Sequence, residues 1–241
     1  MDKKQGISAL YDTWHKPKII ISEINTPWHS FVASRLSDFV LDGKRILEIG
    51  CGRGEFACWF AATYSSVYKE FVAADFSKVA IEKGRNYALS KGIVGINWTI
   101  QDIMRIDYPE NYFDIVISCE TIEHVPKPFN AILELYRVTK RGGFLILTTP
   151  NYGNFMGLYR GWLRLTGRRF TEIGQPINKF VFYAKTKMWL RLSGFKVDYA
   201  STLNISYPSP LFKREVQLKW RKPKWLIKRL GINSFFFCKK R

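Results

Sequence analysis

Between residues 45 and 150 the chain alternates short apolar runs with longer stretches of helical spacing, and this alternation restricts the fold more than any other feature. Residues 45–49, 70–74, 96–100, 113–118 and 144–149 read as strands. Residues 55–64, 78–90 and 129–139 read as helices, the last stopped at Arg141-Gly142-Gly143. Strands that alternate with helices imply crossover connections, a parallel sheet and helices on both of its faces. The expected class is therefore α/β.

Outside this region the pattern loosens. Residues 1–40 read as a helical lead-in interrupted at Pro17 and Pro27, with Phe31, Val32, Leu36, Phe39 and Val40 at helical spacing before Asp42-Gly43. Residues 151–182 read as an insertion with a short amphipathic helix. Leu158, Trp162 and Leu165 share one of its faces, and Arg160, Arg164 and Arg168 another. Thr186 is placed to cap a helix reaching Ser193, which Gly194 ends. Residues 195–200 and 234–238 complete the expected strands.

The stretch ILEIGCGRGEF joins the first strand to its helix. Gly50, Gly52 and Gly54 allow a tight turn and close approach of backbone to a ligand. A dinucleotide fingerprint needs glycine where Glu55 stands, and the Gly-Lys-Ser/Thr ending of a P-loop is absent. Glu48, two residues before the first glycine, suits a ligand bearing an amino group and a sulfonium, and repels a phosphate. Asp75 ends the second strand, where a carboxylate accepts from both ribose hydroxyls or caps the next helix. Asp102 follows the third strand, placed to accept from an adenine amino group, with Ile103 beside it to pack on the ring.

With these motifs in that order, residues 40–200 resemble the class I S-adenosylmethionine (SAM)-dependent methyltransferases. The motifs are ILEIGCGRGEF, AADFS, QDIMRID, FDIVISCETIEHVPKP and RVTKRGGFLILTTPN. The resemblance implies a Rossmann-like sheet of seven strands whose last strand, FFFCKKR, is antiparallel. It implies that Glu48, Gly50, Cys51, Gly52 and Gly54 hold the methionine part of SAM. Asp75 and Phe76 would then meet the ribose and adenine, Asp102 and Ile103 the adenine, and Cys119 would lie beside the cofactor. The expected organisation is one unit, 1–241: lead-in 1–40, SAM-binding half 41–150, lid 151–182, and a basic substrate or docking part 183–241.

In CETIEHVPKP, a helical turn would set Glu120, Glu123 and His124 at i, i+3 and i+4 on one face, two oxygens and a nitrogen for Mg2+ or another divalent metal. The segment is similar to the E-x-x-E-H motif of ubiquinone-biosynthesis O-methyltransferases. It also resembles the small-RNA 2′-O-methyltransferases, which carry a further histidine downstream. This chain's histidines are His15, His29 and His124, so that histidine is missing and nucleic acid is the less favoured partner. A metal would lower the pKa of an acceptor hydroxyl; without one, His124 or Glu120 is the expected general base.

Charge is divided unevenly. Residues 1–150 hold 18 basic and 17 acidic side chains, a net of +1, and residues 151–241 hold 20 and 3, a net of +17. That asymmetry calls for an anionic partner, a membrane surface, a nucleic acid or a phosphorylated substrate, of which an anionic membrane surface is preferred, with a small-molecule, lipid or glycan acceptor. Within 151–182, Tyr152, Phe155, Tyr159 and Trp162 are placed to line an apolar pocket, and Arg164, Arg168 and Arg169 to meet anions. Residues 213–230 set Trp220, Trp225, Leu226, Ile227 and Leu230 among eight lysines and arginines, the composition of a membrane-surface segment. No run approaches the ~18–20 apolar residues of a membrane span, and no apolar leader follows the first residues. The spacing of Cys51, Cys58, Cys119 and Cys238 fits neither a disulfide framework nor a zinc site. The expected location is cytoplasmic, peripheral at the inner membrane surface. Two other readings stay open: an RNA methyltransferase, and a non-catalytic, membrane-associated SAM-binding subunit.

Overall fold

A computed structural model of the chain describes residues 3–17, 26–64, 67–167, 175–203, 206–208, 215–217 and 229–241. Two helices lead in, α1 (Lys3–His15) and α2 (Pro27–Leu36). The alternating region follows as β1 (Arg45–Ile49), α3 (Glu55–Thr63), β2 (Glu70–Asp75), α4 (Lys78–Ser90), β3 (Asn97–Ile100) and β4 (Phe113–Cys119). A 3-10 turn (Ile122–His124), α5 (Pro128–Val138) and β5 (Thr139–Pro150) complete it. The remainder holds α6 (Phe155–Leu165), α7 (Tyr183–Leu192), β6 (Phe195–Leu203), the short pair β7 (Ser206–Pro208) and β8 (Glu215–Gln217), and β9 (Asn233–Lys240).

Seven strands form one sheet in the order β3-β2-β1-β4-β5-β9-β6. The first five run parallel, and β9 inserts antiparallel between β5 and β6. This is the expected seven-stranded Rossmann-like sheet with its last strand reversed. The apolar runs are nearly continuous because both faces are covered. Ile46, Ile115, Ile117, Ile146 and Phe235 meet α2, α3 and α4 on one face. Leu47, Val116, Leu145, Leu147 and Phe236 meet α5 and α7 on the other.

Two local expectations fail. The helix α5 is not stopped by glycine: Thr139 is already extended (φ −68°, ψ 133°), and β5 begins there. Gly142 and Gly143 instead lie where the β4–β5 register shifts between Phe113 and Ile115. Thr186 is no cap either; it is buried inside α7, which Phe182 precedes.

Several polar contacts set the loops that surround the sheet's carboxyl ends. Asp12 of α1 accepts from the Ser77 hydroxyl at 2.6 Å and the Val79 N–H at 3.2 Å, docking the lead-in on the start of α4. Arg137 of α5 donates to the carbonyls of Ile106 and Tyr108, both at 2.7 Å, while Glu134 accepts from the Ile106 N–H at 3.0 Å. These bonds hold the 102–108 loop against the sheet.

Candidate active site

The glycine loop runs from Gly50 to Gly54, and all three glycines are left-handed, with φ of 79°, 57° and 79°. Any other L-residue would carry a cost of roughly 1–2 kcal/mol in that region. Each glycine serves a different need. A Cβ on Gly50 would lie 2.8 Å from the Cβ of Thr121, so the loops after β1 and β4 close on each other there. At Gly54 the ring of Trp98 fills the place of a Cβ. Gly52 is open, its nearest neighbour being His15 Cε1 at 3.9 Å. The N–H groups of Gly50 and Cys51 both donate to the Ala74 carbonyl, at 2.8 and 3.0 Å, and pin the loop to β2.

Asp75 completes the cradle. Its Oδ2 accepts from the Gly52 N–H and its Oδ1 from the Ser77 N–H, both at 2.9 Å. Burial pushes its carboxyl above the ordinary range, and the backbone N–H groups of Ser77, Gly52 and Phe76 pull against that. The cap of α4 is Ser77, whose hydroxyl accepts from the Ala80 N–H at 3.2 Å. Glu48 is 4% exposed and lies beneath the loop. Burial, then Glu55 and Asp75, raise its pKa well above the usual range. Its Oε2 has no hydrogen-bond partner among the described residues. A buried, unpartnered carboxylate oxygen under an open glycine turn fits a ligand that carries a cationic amino group and a sulfonium. SAM is such a ligand.

A cavity of about 730 Å³ opens above this cradle. Gly50, Cys51, Gly52, Asp75, Phe76, Asp102, Ile103 and Cys119 all line it, as the sequence implied. Glu48 and Gly54 do not; they support the loop from behind. Asp102 is held by its own turn, its Oδ1 accepting from the Met104 N–H at 2.8 Å.

Further lining comes from the lead-in, and the sequence assigned none of its residues to the site. Tyr11 and Trp14 of α1 and Trp28 and His29 of α2 face the cavity. Tyr11 is buried, with its ring edge-on to Phe76 at 4.8 Å. His29 stacks at 5.4 Å from Phe56, and burial lowers its pKa to about 4. Its Nδ1 is buried with no hydrogen-bond partner among the described residues. The signal was present in Thr26-Pro27-Trp28-His29: a threonine cap and a first-turn proline start a helix whose Phe31, Val32 and Leu36 are buried. That arrangement orients the first turn toward the sheet's carboxyl end.

The segment after β4 departs from the expected ligand set. Glu120 lines the cavity, on a backbone with φ of 48°. Glu123 turns the other way, fully buried, with Oε2 accepting from the Thr149 hydroxyl at 2.9 Å. His124 reaches the cavity wall, but its Nδ1 meets the Ile177 carbonyl at 2.7 Å and its Nε2 lies 3.4 Å from Glu123 Oε1. Because a carbonyl only accepts, Nδ1 carries the proton. The 3-10 turn spans only Ile122–His124, and Glu120 stands before it on left-handed backbone, so the α-helical i, i+3, i+4 face does not form. Among the described residues no three His, Cys, Asp or Glu side chains are arranged to hold a metal ion. The metal set Glu120, Glu123 and His124 is not assembled, and no step below passes through one.

The insertion also differs from expectation. Tyr152 is buried and donates to Asn178 Oδ1 at 2.9 Å, whereas Phe155, Tyr159 and Trp162 are exposed and none lines the cavity. Along α6, Leu158, Trp162 and Leu165 face outward at 72%, 52% and 88% exposure. Arg160 lies over the Tyr152 ring at 4.7 Å, and Arg164 6.0 Å from Phe180. The apolar stripe is real but is turned away from the protein. Arg168, Arg169 and the Trp220–Ile227 cluster lie outside the described residues. No helix among the described residues is long and apolar enough to cross a membrane, and all four cysteines are free.

Comparison with known proteins agrees with this geometry. Residues 47–147 match the model of a methyltransferase domain. The chain is 25% identical over 179 residues to the ubiquinone/menaquinone biosynthesis C-methyltransferase of Erwinia tasmaniensis, which covers 74% of this chain and 69% of that one. It is 33% identical over 133 residues to the ubiquinone biosynthesis O-methyltransferase of Alkalilimnicola ehrlichii, over 54% of this chain and about half (51%) of that enzyme. Among solved structures, the cyclase SpnF superposes with a TM-score of 0.65 at 17% identity, over 98% of this chain and 96% of its own. The last likeness concerns the fold alone.

Proposed function

We propose that this chain, whose residues 47–147 match a methyltransferase domain, is a class I SAM-dependent methyltransferase that methylates a hydroxyl group on an amphipathic or anionic small molecule, lipid or glycan. The observation that carries the reading is the contrast between the cavity's two walls. One wall is the cofactor cradle of Gly52, Asp75 and Asp102. The other is aromatic, formed by Tyr11, Trp14 and Trp28 of the lead-in, and Glu120 lines the same cavity. Aromatic walls with few polar groups take flat, largely apolar acceptors. The two relatives named above act, by their names, in the biosynthesis of ubiquinone or menaquinone.

When bound, SAM supplies an electrophilic methyl group on a sulfonium. Glu48 favours positive charge above the loop, and Asp75 keeps lone pairs for the ribose hydroxyls beyond those taken by Gly52 and Ser77. Glu120 is the group assigned to take the proton of the acceptor hydroxyl, since both nitrogens of His124 are turned to protein groups. Helices α1 and α2 supply aromatic side chains to the cavity lining. Most of the acceleration comes from alignment of acceptor oxygen and methyl carbon, a term that reaches ~7–11 kcal/mol in well-oriented systems.

The outward apolar face of α6, within residues 151–241 whose net charge is +17, supports peripheral docking on an anionic membrane at the cytoplasmic side. Transfer to a ring carbon is a second reading, favoured by the likeness to the Erwinia C-methyltransferase. The test supplies SAM with a labelled methyl group to the purified protein together with fractionated extract. Label in a lipid or glycan fraction, released by ether cleavage, supports O-methylation; label resistant to ether cleavage supports the ring carbon. Label confined to RNA refutes both.

A further inference from the structure

We infer that the groove between the start of α7, strand β6 and Arg229 is a separate binding site for a phosphate-ester anion. This groove, about 920 Å³, shares no lining residue with the cofactor cavity. Lys187, Arg191 and Arg229 converge on it, and no aspartate or glutamate lines it. Among the described residues, no carboxylate pairs with any of the three cations. Lys187 and Arg191 stand one helical turn apart, a spacing at which like charges repel. The charge of Arg191 is partly explained by its place at the carboxyl end of α7, where a cation suits the helix dipole. Lys187, in mid-helix, has no such dipole partner, and its Nζ lies 5.9 Å from the Tyr183 ring. Burial lowers the pKa of Lys187, and the neighbouring charges of Arg191 and Arg229 add to that effect.

The convergence is built rather than incidental. Asn151 is 2% exposed and ties together the three segments that form the groove. Its Nδ2 donates to the carbonyls of Arg229 at 3.0 Å and Gly231 at 2.8 Å. Its Oδ1 accepts from the N–H groups of Gly153 and Tyr183, both at 3.0 Å. One buried amide thus fixes Arg229 against the first turn of α7. The rim is apolar and open to solvent, with Phe182, Met188 and Leu192 exposed at 39%, 50% and 67%. Three cations beside an apolar rim fit a phosphate ester that carries a hydrocarbon portion. The inference does not depend on the acceptor proposed above, because it is read by binding and not by turnover.

The test compares the full chain, a Lys187→Ala/Arg191→Ala variant and a Lys91→Ala/Lys140→Ala control that removes the same charge elsewhere. The probes are glycerol 3-phosphate, and phosphatidylcholine vesicles with and without phosphatidylglycerol. The expected result is about a tenfold or greater loss of affinity in the groove variant alone. A loss for vesicles only assigns the anion to a lipid headgroup, and a loss for glycerol 3-phosphate as well assigns it to phosphate esters at large. Thermal unfolding supplies a second readout: glycerol 3-phosphate or the vesicles raise the Tm of the full chain but not that of the groove variant. Equal losses in both variants, no binding of either probe, or tighter binding of single-stranded RNA through the same residues overturns the inference.

Discussion

Gly84 offers a test in which two physical effects predict opposite signs. It lies inside α4, where alanine is the better helix former by roughly 0.8–1 kcal/mol. On propensity alone, Gly84→Ala stabilises the protein. The structure argues otherwise. A Cβ at residue 84 would lie 2.6 and 2.7 Å from the Trp98 ring and 2.8 Å from the Arg53 carbonyl oxygen. The ring is also wedged against Gly54, and the carbonyl belongs to the glycine loop, so neither neighbour yields cheaply. Overpacking of this kind costs about 2–3 kcal/mol, the upper part of the usual range. The net is a loss of about 1–2 kcal/mol, or a Tm lower by about 4 °C for a chain of this size. Gly161, inside α6, is the matched control: nothing lies within 4 Å of its added Cβ. Gly161→Ala should raise stability by up to about 1 kcal/mol. Calorimetry of both variants, with SAM titration, reads the outcome. Gly84→Ala should also weaken SAM binding by displacing Arg53, and Gly161→Ala should leave it unchanged. A Tm that rises in both would show that the packing of α4 on Trp98 and the glycine loop is looser than the structure describes.

Asp75→Ala removes the acceptor that holds Gly52 and Ser77, and SAM affinity should fall by at least about tenfold; calorimetric titration giving wild-type affinity contradicts the ribose assignment. Exhaustive chelation should leave methyl transfer intact, and a loss that Mg2+ restores means that Glu123 and His124 rearrange when a metal binds. His29 titrates near 4 in the folded chain and near 6.5 when unfolded, so the unfolded state binds more protons between those values. Its contribution is therefore harmless above pH 6.5 and becomes a growing penalty, up to about 3 kcal/mol, as pH falls toward 4. Denaturant melts of His29→Phe should show a shallower acid loss across that window; parallel curves for the two proteins refute the burial argument.

The parts of this molecule that were legible in the sequence are those whose chemistry is local. The strands were readable because a parallel sheet covered on both faces needs unbroken apolar runs, as in residues 45–49 and 113–118. The cradle was readable because left-handed glycines and a strand-end aspartate have few substitutes. The orientation of His124 was not readable for the opposite reason: it depends on the Ile177 carbonyl, 53 residues away, which no local pattern reveals. The direction of Glu123 was not readable because Glu120 sits on left-handed backbone before a turn of only three residues, and local sequence does not distinguish that from the first turn of an α-helix. For α6 the period was right and the direction wrong. An amphipathic pattern says that a helix has an apolar face, not that this face meets its own protein. Here the arginines found aromatic partners in Tyr152 and Phe180, and the apolar stripe was left outside.

The strand order explains why the cofactor and the positive charge are kept apart. The order reverses between β1 and β4, so the crossovers on either side leave in opposite directions and open a crevice at the carboxyl ends of those strands. The glycine loop, Asp75 and Cys119 all sit there, in the half of the chain with a net charge of +1. A sulfonium ligand gains nothing from nearby cations, and Glu48 beneath the loop would lose its effect if a lysine neutralised it. The antiparallel β9 extends the sheet past β5 and carries β6 to the far edge. The groove of Lys187, Arg191 and Arg229 forms on that side, beyond the residues that line the cradle. The sheet therefore separates two electrostatic demands that one cavity could not meet together: a cofactor that needs buried negative charge, and an anion that needs converging positive charge.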